Sequence, residues 1–240
     1  MNGPMIVIAG AGSGKTRVLT YKIAYLMTQG VDPFNILALT FTNKAAKEMK
    51  ERIADIVGDE AKNLWMGTFH SVFARILRIE AHKIGYTSNF TIYDSDDSQK
   101  LVARIIKELN LDKEQYKYKI IFSRISSMKN NFISADQYIN DDEMLLSDKV
   151  SNRPKFHEIY KQYVERCFKA GAMDFDDLLL KTNELLNSYP DTLSKYQNIF
   201  RYILVDEYQD TNHSQYLIIR SLSDKFQNIC VVGDDAQSIY

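Results

Sequence analysis

Residues Met5–Thr16 read MIVIAGAGSGKT, and this stretch decides the fold. Met5–Ala9 is a short apolar run that predicts a buried strand. The run breaks into Gly10, Gly12 and Gly14, then Lys15 and Thr16, and a periodic segment follows that predicts a helix. Strand, glycine loop, Lys-Thr and helix in that order make a phosphate-binding loop. The residue types answer to the chemistry. Glycines let backbone N–H groups curl around phosphate oxygens, and the helix N-terminus adds a partial positive charge. Lys15 is placed to reach the β- and γ-phosphates, and the Thr16 hydroxyl to ligate Mg²⁺. The common pattern opens with a glycine where this chain has Ala9. The expected ligand is a nucleoside triphosphate.

With 240 residues, 45% of them hydrophobic and 25% charged, the chain has material for one large domain or two moderate ones. A net charge of −1 gives no bulk attraction to nucleic acid, so any such surface has to be local. Cys167 and Cys230 lie far apart without a CxxC pattern. His70, His82, His157 and His213 show no metal-ligand spacing. Both facts argue against a disulfide framework and a zinc site. No apolar run approaches the roughly 18 residues of a membrane span, and no charged-then-apolar leader opens the chain. The expectation is a cytoplasmic enzyme without a membrane partner.

Met1–Pro4 reads as a cut end, since the first core strand begins almost at once. After the glycine loop, Val18, Leu19, Ile23, Leu26 and Met27 recur at helical spacing until Gly30 and Pro33. Ile36–Phe41 predicts a second buried strand, Thr42-Asn43 a turn and helix cap, and Lys44–Val57 a helix with Ala45, Ala46, Met49, Ile53 and Val57 inward. Leu64–Phe69 predicts a third strand, leading into a helix from about His70 to Ile84. Alternating strands and helices imply a doubly wound parallel sheet, whose ligands lie beyond the carboxyl ends of the strands. The turns Gly10–Thr16, Thr42-Asn43 and Thr68–Ser71 are therefore expected along one functional edge.

From Gly85 to about Ser188 the alternation stops and amphipathic helices take over, at Asp94–Asn110, about Tyr116–Asn130 and Pro154–Ala170. In the last of these Phe156, Ile159, Tyr160, Tyr163, Val164, Cys167 and Phe168 make an apolar stripe, read as core. The expected organisation is residues 1–84, a helical insertion at 85–188, and the resumed sheet domain at 189–240. Tyr116–Lys129 carries Lys117, Lys119, Arg124 and Lys129 with no acidic residue, beside Tyr116, Tyr118 and Phe122. That segment reads either as a solvated helix face or as a nucleic-acid face.

Tyr202–Val205 predicts a strand ending in Asp206-Glu207, and Asn228–Gly233 another ending in Asp234-Asp235. Paired acids after a strand are what an NTPase needs opposite its phosphate loop. Asp206 would hold Mg²⁺ and Glu207 would orient or deprotonate the attacking water. Gln209 and Asp210 follow closely enough to bond the neighbouring catalytic loop. Gln237, in the loop after the last strand, places an amide where it can bond a γ-phosphate or the attacking water.

Read together, AGAGSGKTR, ALTFTNKAAKEMKERI, GTFHS, MDFDDLL, ILVDEYQDTN and VVGDDAQSIY resemble the ordered motifs of superfamily 1 DNA helicases of the UvrD/PcrA/Rep type. The resemblance covers essentially the whole chain, and Ala9 is normal in that family. It implies a RecA-like P-loop NTPase with an inserted, mainly helical subdomain. Ala9, Gly10, Ala11, Gly12, Ser13, Gly14, Lys15, Thr16 and Arg17 match nucleotide-binding positions, with Arg17 beside the base. Lys15, Asp206, Glu207 and Gln237 match catalytic positions, and Thr16 and Asp206 the Mg²⁺ ligands. Phe41, Thr42, Asn43, Thr68, His70 and Tyr240 match single-stranded DNA contacts, and Asp174–Asp177 a motif at the return from the insertion. Phe41 also reads as core at a strand end, and His70 as a helix cap.

The implied activity is ATP-dependent 3′ to 5′ translocation and unwinding, on single strands and single/double-strand junctions, with ATP and Mg²⁺. The family's adenine-recognising glutamine segment, and a second RecA-like domain carrying arginines for the γ-phosphate, have no counterpart in these residues. The chain therefore reads as a motor fragment, weakly active alone. Two other readings stand beside it: the motor part of a nuclease-linked recombination helicase, and an ATP-switched DNA-binding module.

Overall fold

The computed structural model describes residues 2–10 and 13–234. They form, in chain order, β1 (Met5–Ile8), α1 (Lys15–Thr28), β2 (Ile36–Thr40), α2 (Asn43–Val57), β3 (Trp65–Thr68) and α3 (Phe69–Glu80). Then come β4 (Thr91–Tyr93), α4 (Ser95–Glu108), α5 (Tyr118–Asn130), α6 (Ala135–Ile139), α7 (Asp142–Val150), α8 (Phe156–Lys169), β5 (Ala172–Asp174) and α9 (Phe175–Ser188). The chain returns through α10 (Pro190–Ile199), β6 (Tyr202–Val205), α11 (His213–Ser223) and β7 (Ile229–Gly233). Two compact units result, one from the chain up to Arg75 and from Asn183 onward, the other from Ile76 to Thr182. Their divisions fall inside α3 and α9. Among the described residues no helix is long and apolar enough to cross a membrane.

The first unit is a five-stranded, all-parallel sheet in the order β1-β7-β6-β2-β3. Its near-continuous apolar strands are what a sheet covered on both faces requires. On one face Ile36, Ala38, Leu204, Cys230 and Val232 pack with Leu19, Ile23, Leu26 and Met27 of α1 and Met49 and Ile53 of α2. Alternation sends Leu37, Leu39, Ile203, Val205 and Val231 the other way, where they are buried too. α10 and α11 pack on each other and α11 reaches β6, burying Tyr196, Phe200, Ile218, Ile219 and Leu222. The parallel register brings the exits of β1, β7, β6, β2 and β3 to one sheet edge.

Two expectations fail in this unit. β1 is an edge strand, paired only with β7 among the described residues, and Ile6 and Ile8 are 73% and 64% exposed. A four-residue apolar run cannot tell an edge from a centre, because strand order is set by segments far away in sequence. Val18 likewise points outward, 39% exposed, since α1 buries the stripe built on Leu19, Ile23 and Leu26.

In the second unit, Val102, Ile105 and Ile106 of α4, Ile121 and Ile125 of α5, and Phe156, Ile159, Tyr160, Tyr163 and Cys167 of α8 make one core with Tyr138. Val164 is only partly buried against it and Phe168 is 48% exposed. Phe168 packs edge-on to Tyr86, at 5.0 Å between ring centroids. Strand pairing does occur here: β4 and β5 form a parallel pair in the register Thr91↔Ala172 to Tyr93↔Asp174. Three residues each are too few to carry a period.

The α5 segment does not form a single cationic face. Lys129 is fully buried, with its ammonium 2.7 Å from Asp174 and 2.8 Å from Asp177. Arg124 lies 2.6 Å from Asp148 and donates to the Tyr138 hydroxyl at 2.6 Å. Asp174 and Asp177 cap α9 reciprocally, each accepting from the other's backbone N–H, at 2.7 and 3.2 Å. The remaining cations gather at the other end of α5. Arg104, Lys107, Lys113, Lys117 and Lys119 line an open hollow of about 920 Å³ with Tyr118, and Glu114 is its one acidic lining residue among those described.

Candidate active site

Gly14 caps α1 with φ 92°, a left-handed conformation that only glycine adopts without cost. Ser13 closes the turn before it, its hydroxyl donating to the Gly10 carbonyl at 2.6 Å. Among the described residues no side chain caps α1. The Arg17 and Val18 N–H groups donate to the Gly14 carbonyl at 2.9 and 3.2 Å, and the positive end of the helix dipole favours an anion there. Ala11 and Gly12 lie outside the described residues.

Lys15, the first residue of α1, is buried and runs to the exits of two other strands. Its ammonium lies 3.1 Å from Glu207 Oε2 and 3.4 Å from Asp234 Oδ2. Burial works against its charge, but the Glu207 and Asp234 carboxylates more than offset this and hold its pKa above the usual lysine value. Thr16 donates from Oγ1 to Asp206 Oδ2 at 3.1 Å. Asp206 is itself buried, with its N–H on the Leu39 carbonyl at 2.9 Å. Burial pushes its carboxyl pKa up, against the opposing bond from Thr16.

Glu207 has φ 48° and ψ 47°, a left-handed backbone in a residue with a full side chain. Such strain costs on the order of 1–3 kcal/mol and persists where surrounding contacts over-determine it. Here the Glu207 N–H donates to Asp206 Oδ1 at 3.1 Å. Gln209, in the single 3₁₀ turn that follows, donates from Nε2 to Glu207 Oε2 at 2.7 Å. The lysine, hydroxyl and two acidic residues singled out by sequence are thus brought together, and Gln237 lies outside the described residues. Asp234 belongs with them, although sequence marked it only as a strand end. Its contact with Lys15 depends on β7 lying beside β1, which no local pattern announces.

Arg17 is exposed and lines a cavity of about 440 Å³ with Thr20, Tyr21, Arg52, Asp55 and Ile56. At the exits of β2 and β3, Phe41 is half-buried against Phe69, with ring centroids 5.4 Å apart. Thr42 and Asn43 are exposed, while Thr68 and His70 are half-buried. Thr42 caps α2, its Oγ1 accepting from the Ala45 N–H at 3.1 Å, and Thr68 Oγ1 accepts from the Ser71 N–H at 3.2 Å. Replacing Thr42 by alanine is expected to cost about 1 kcal/mol of stability, the usual worth of an N-cap, as read by urea unfolding. Tyr240 lies outside the described residues.

The UvrD/REP helicase N-terminal domain model matches residues 1–240. Among curated relatives, the ATP-dependent DNA helicase PcrA of Bacillus subtilis strain 168 is 46% identical over 240 residues, 100% of this chain and 32% of the relative. That of Staphylococcus epidermidis is 46% identical over 239 residues, 99% of this chain and 32% of the relative. The Staphylococcus aureus protein of the same name is 45% identical over 239 residues, again 99% and 32%. The chain thus spans about a third of the length of the curated relatives it matches. With the family model matching residues 1–240, the chain belongs to the UvrD/REP helicase N-terminal domain family.

Proposed function

We propose that this chain is the ATP-binding part of a DNA motor that hydrolyses ATP, moves 3′ to 5′ on a single strand and separates duplex. The observation that carries this reading is the meeting of Lys15, Thr16, Asp206 and Glu207 at one sheet edge. ATP phosphates enter between the glycine loop and the exits of β6 and β7, and Lys15 exchanges its carboxylates for phosphate oxygens. The Thr16 hydroxyl and Asp206 carboxylate, 3.1 Å apart, are an all-oxygen donor set. Such a set suits Mg²⁺, which takes one or two carboxylates beside substrate phosphates. When bound there, Mg²⁺ would neutralise charge on the β- and γ-oxygens.

Glu207 orients the attacking water and takes its proton. The water oxygen bonds to the γ-phosphorus while the bond to the bridging oxygen breaks, and ADP leaves with that electron pair. In this reading Gln237 senses the γ-phosphate, and the Arg17 cavity takes the base. A second RecA-like domain supplies arginines across the cleft, an arginine finger being worth roughly 10³–10⁵ in rate. Phe41, Thr42, Asn43, Thr68, His70 and Tyr240 follow the single strand, the two aromatic rings stacking on bases at about 1–3 kcal/mol each. The cationic hollow between α4 and α5 takes phosphates on the duplex side of a junction. A cytoplasmic location belongs to the same reading.

The test is ATP hydrolysis with and without single-stranded DNA. This chain would be run beside one extended by the further two-thirds that its relatives carry, with Lys15→Ala in both. Strong stimulation of the extended protein alone is expected; stimulation of neither would favour a nucleotide-driven switch with another partner. Reversing Lys113 and Lys117 to glutamate in the extended protein is expected to weaken junction binding at every sequence. The salt dependence of log Kd should shrink by about 2. An unchanged slope would remove the hollow from the DNA path.

A further inference from the structure

We propose that Gln209 is a positioning residue for hydrolysis: it keeps the Glu207 carboxylate in place once Lys15 has turned to the phosphates. This rests on the reading of Glu207 as the group that acts on water. A single oxygen, Glu207 Oε2, receives two donors, Lys15 Nζ at 3.1 Å and Gln209 Nε2 at 2.7 Å. A triphosphate removes the first of them. The second belongs to no phosphate contact and stays.

The Gln209 amide is anchored at both ends. Its Oε1 accepts from the Asp234 N–H at 3.0 Å, so the exit of β6 is tied to the exit of β7. A weaker contact runs from Nε2 to Asp210 Oδ2 at 3.4 Å. Flipping the amide would set its oxygen against a carboxylate and its NH₂ against an N–H, so both partners enforce one orientation. The short reach also stabilises Glu207 in its left-handed backbone.

Gly233 points to the same bridge independently. Its backbone does not require glycine, but a Cβ there would lie 3.0 Å from Gln209 Oε1 and 3.6 Å from Gln209 N. The room at Gly233 is the room that Gln209 occupies.

The test measures kcat and KM for ATP in the extended protein, with equilibrium ADP binding alongside. Gln209→Ala is expected to lower kcat about 10- to 100-fold, the size of one hydrogen bond to a charged group, with KM and ADP affinity within about twofold. Gln209→Glu should be at least as slow, because it keeps the shape and sets like charges together. Gly233→Ala should lower kcat alone yet add nothing to Gln209→Ala, because both changes break the same bridge. If Glu207→Gln abolishes turnover while Gln209→Ala keeps kcat within twofold, or if KM rises as much as kcat falls, the proposal is overturned. If Glu207→Gln itself leaves turnover intact, the reading of Glu207 falls and this inference with it.

Discussion

Replacing Glu207 by glutamine should cut ATP turnover by roughly 10²–10⁴-fold, the usual worth of a positioned general base. The amide keeps the size of the side chain but cannot take the proton of the attacking water. Nucleotide binding should not suffer. Glu207, 3.1 Å from the Lys15 ammonium, competes with phosphate for it, so neutralising Glu207 leaves ATP affinity unchanged or tighter. A single-turnover assay beside an equilibrium titration separates the two effects. Turnover within tenfold of the unaltered protein would remove Glu207 from the chemistry.

The second large effect belongs to the helical unit. Lys129→Met is expected to destabilise it by about 3–5 kcal/mol, because removing one partner of a buried pair strands the other charge. Here two carboxylates are stranded, Asp174 and Asp177, both buried and both within 2.8 Å of the lost ammonium. The Tyr163 hydroxyl, donating to Asp174 at 2.7 Å, does not replace a cation. Burial, and then the neighbouring Asp174 carboxylate, already push the Asp177 carboxyl up to about 6. A raised carboxyl pKa means that the folded form holds the proton more tightly, so this group's contribution is present at low pH and fades as pH rises through 6. Asp174, held below the usual carboxylate range with Lys129 as the main charge acting on it against burial, has the opposite dependence. Without Lys129 both carboxyls favour the proton, so the variant should recover part of its loss between pH 7 and pH 5. Adding Asp177→Asn should do the same at pH 7. Urea unfolding of the chain reads both, and a loss below about 1 kcal/mol would show that the pair is not an obligatory one.

What could be read without the structure was what is written locally. Gly14, Lys15 and Thr16 are adjacent in sequence and define their own loop, and Asp206-Glu207 announces itself at the end of an apolar strand. What could not be read was set by neighbours distant along the chain. β1 reads as buried from its residues and, among the described residues, is an edge because of where β7 and β6 lie. Asp234 meets Lys15 only because those strands are adjacent. Lys129 looked like one of four exposed cations, since its acidic partner Asp174 is 45 positions away. The pair β4 and β5 leaves no periodic signal in the sequence, because neither strand is long enough to alternate.

Lys15 and its surroundings form the triphosphate site of this account, and Mg·ATP binding to this chain, measured by calorimetry beside Lys15→Ala, tests that most directly. One saturable site that weakens at least about tenfold in the variant is the predicted result, since the lysine supplies a charged contact to phosphate. Equal affinity in the two proteins would contradict it.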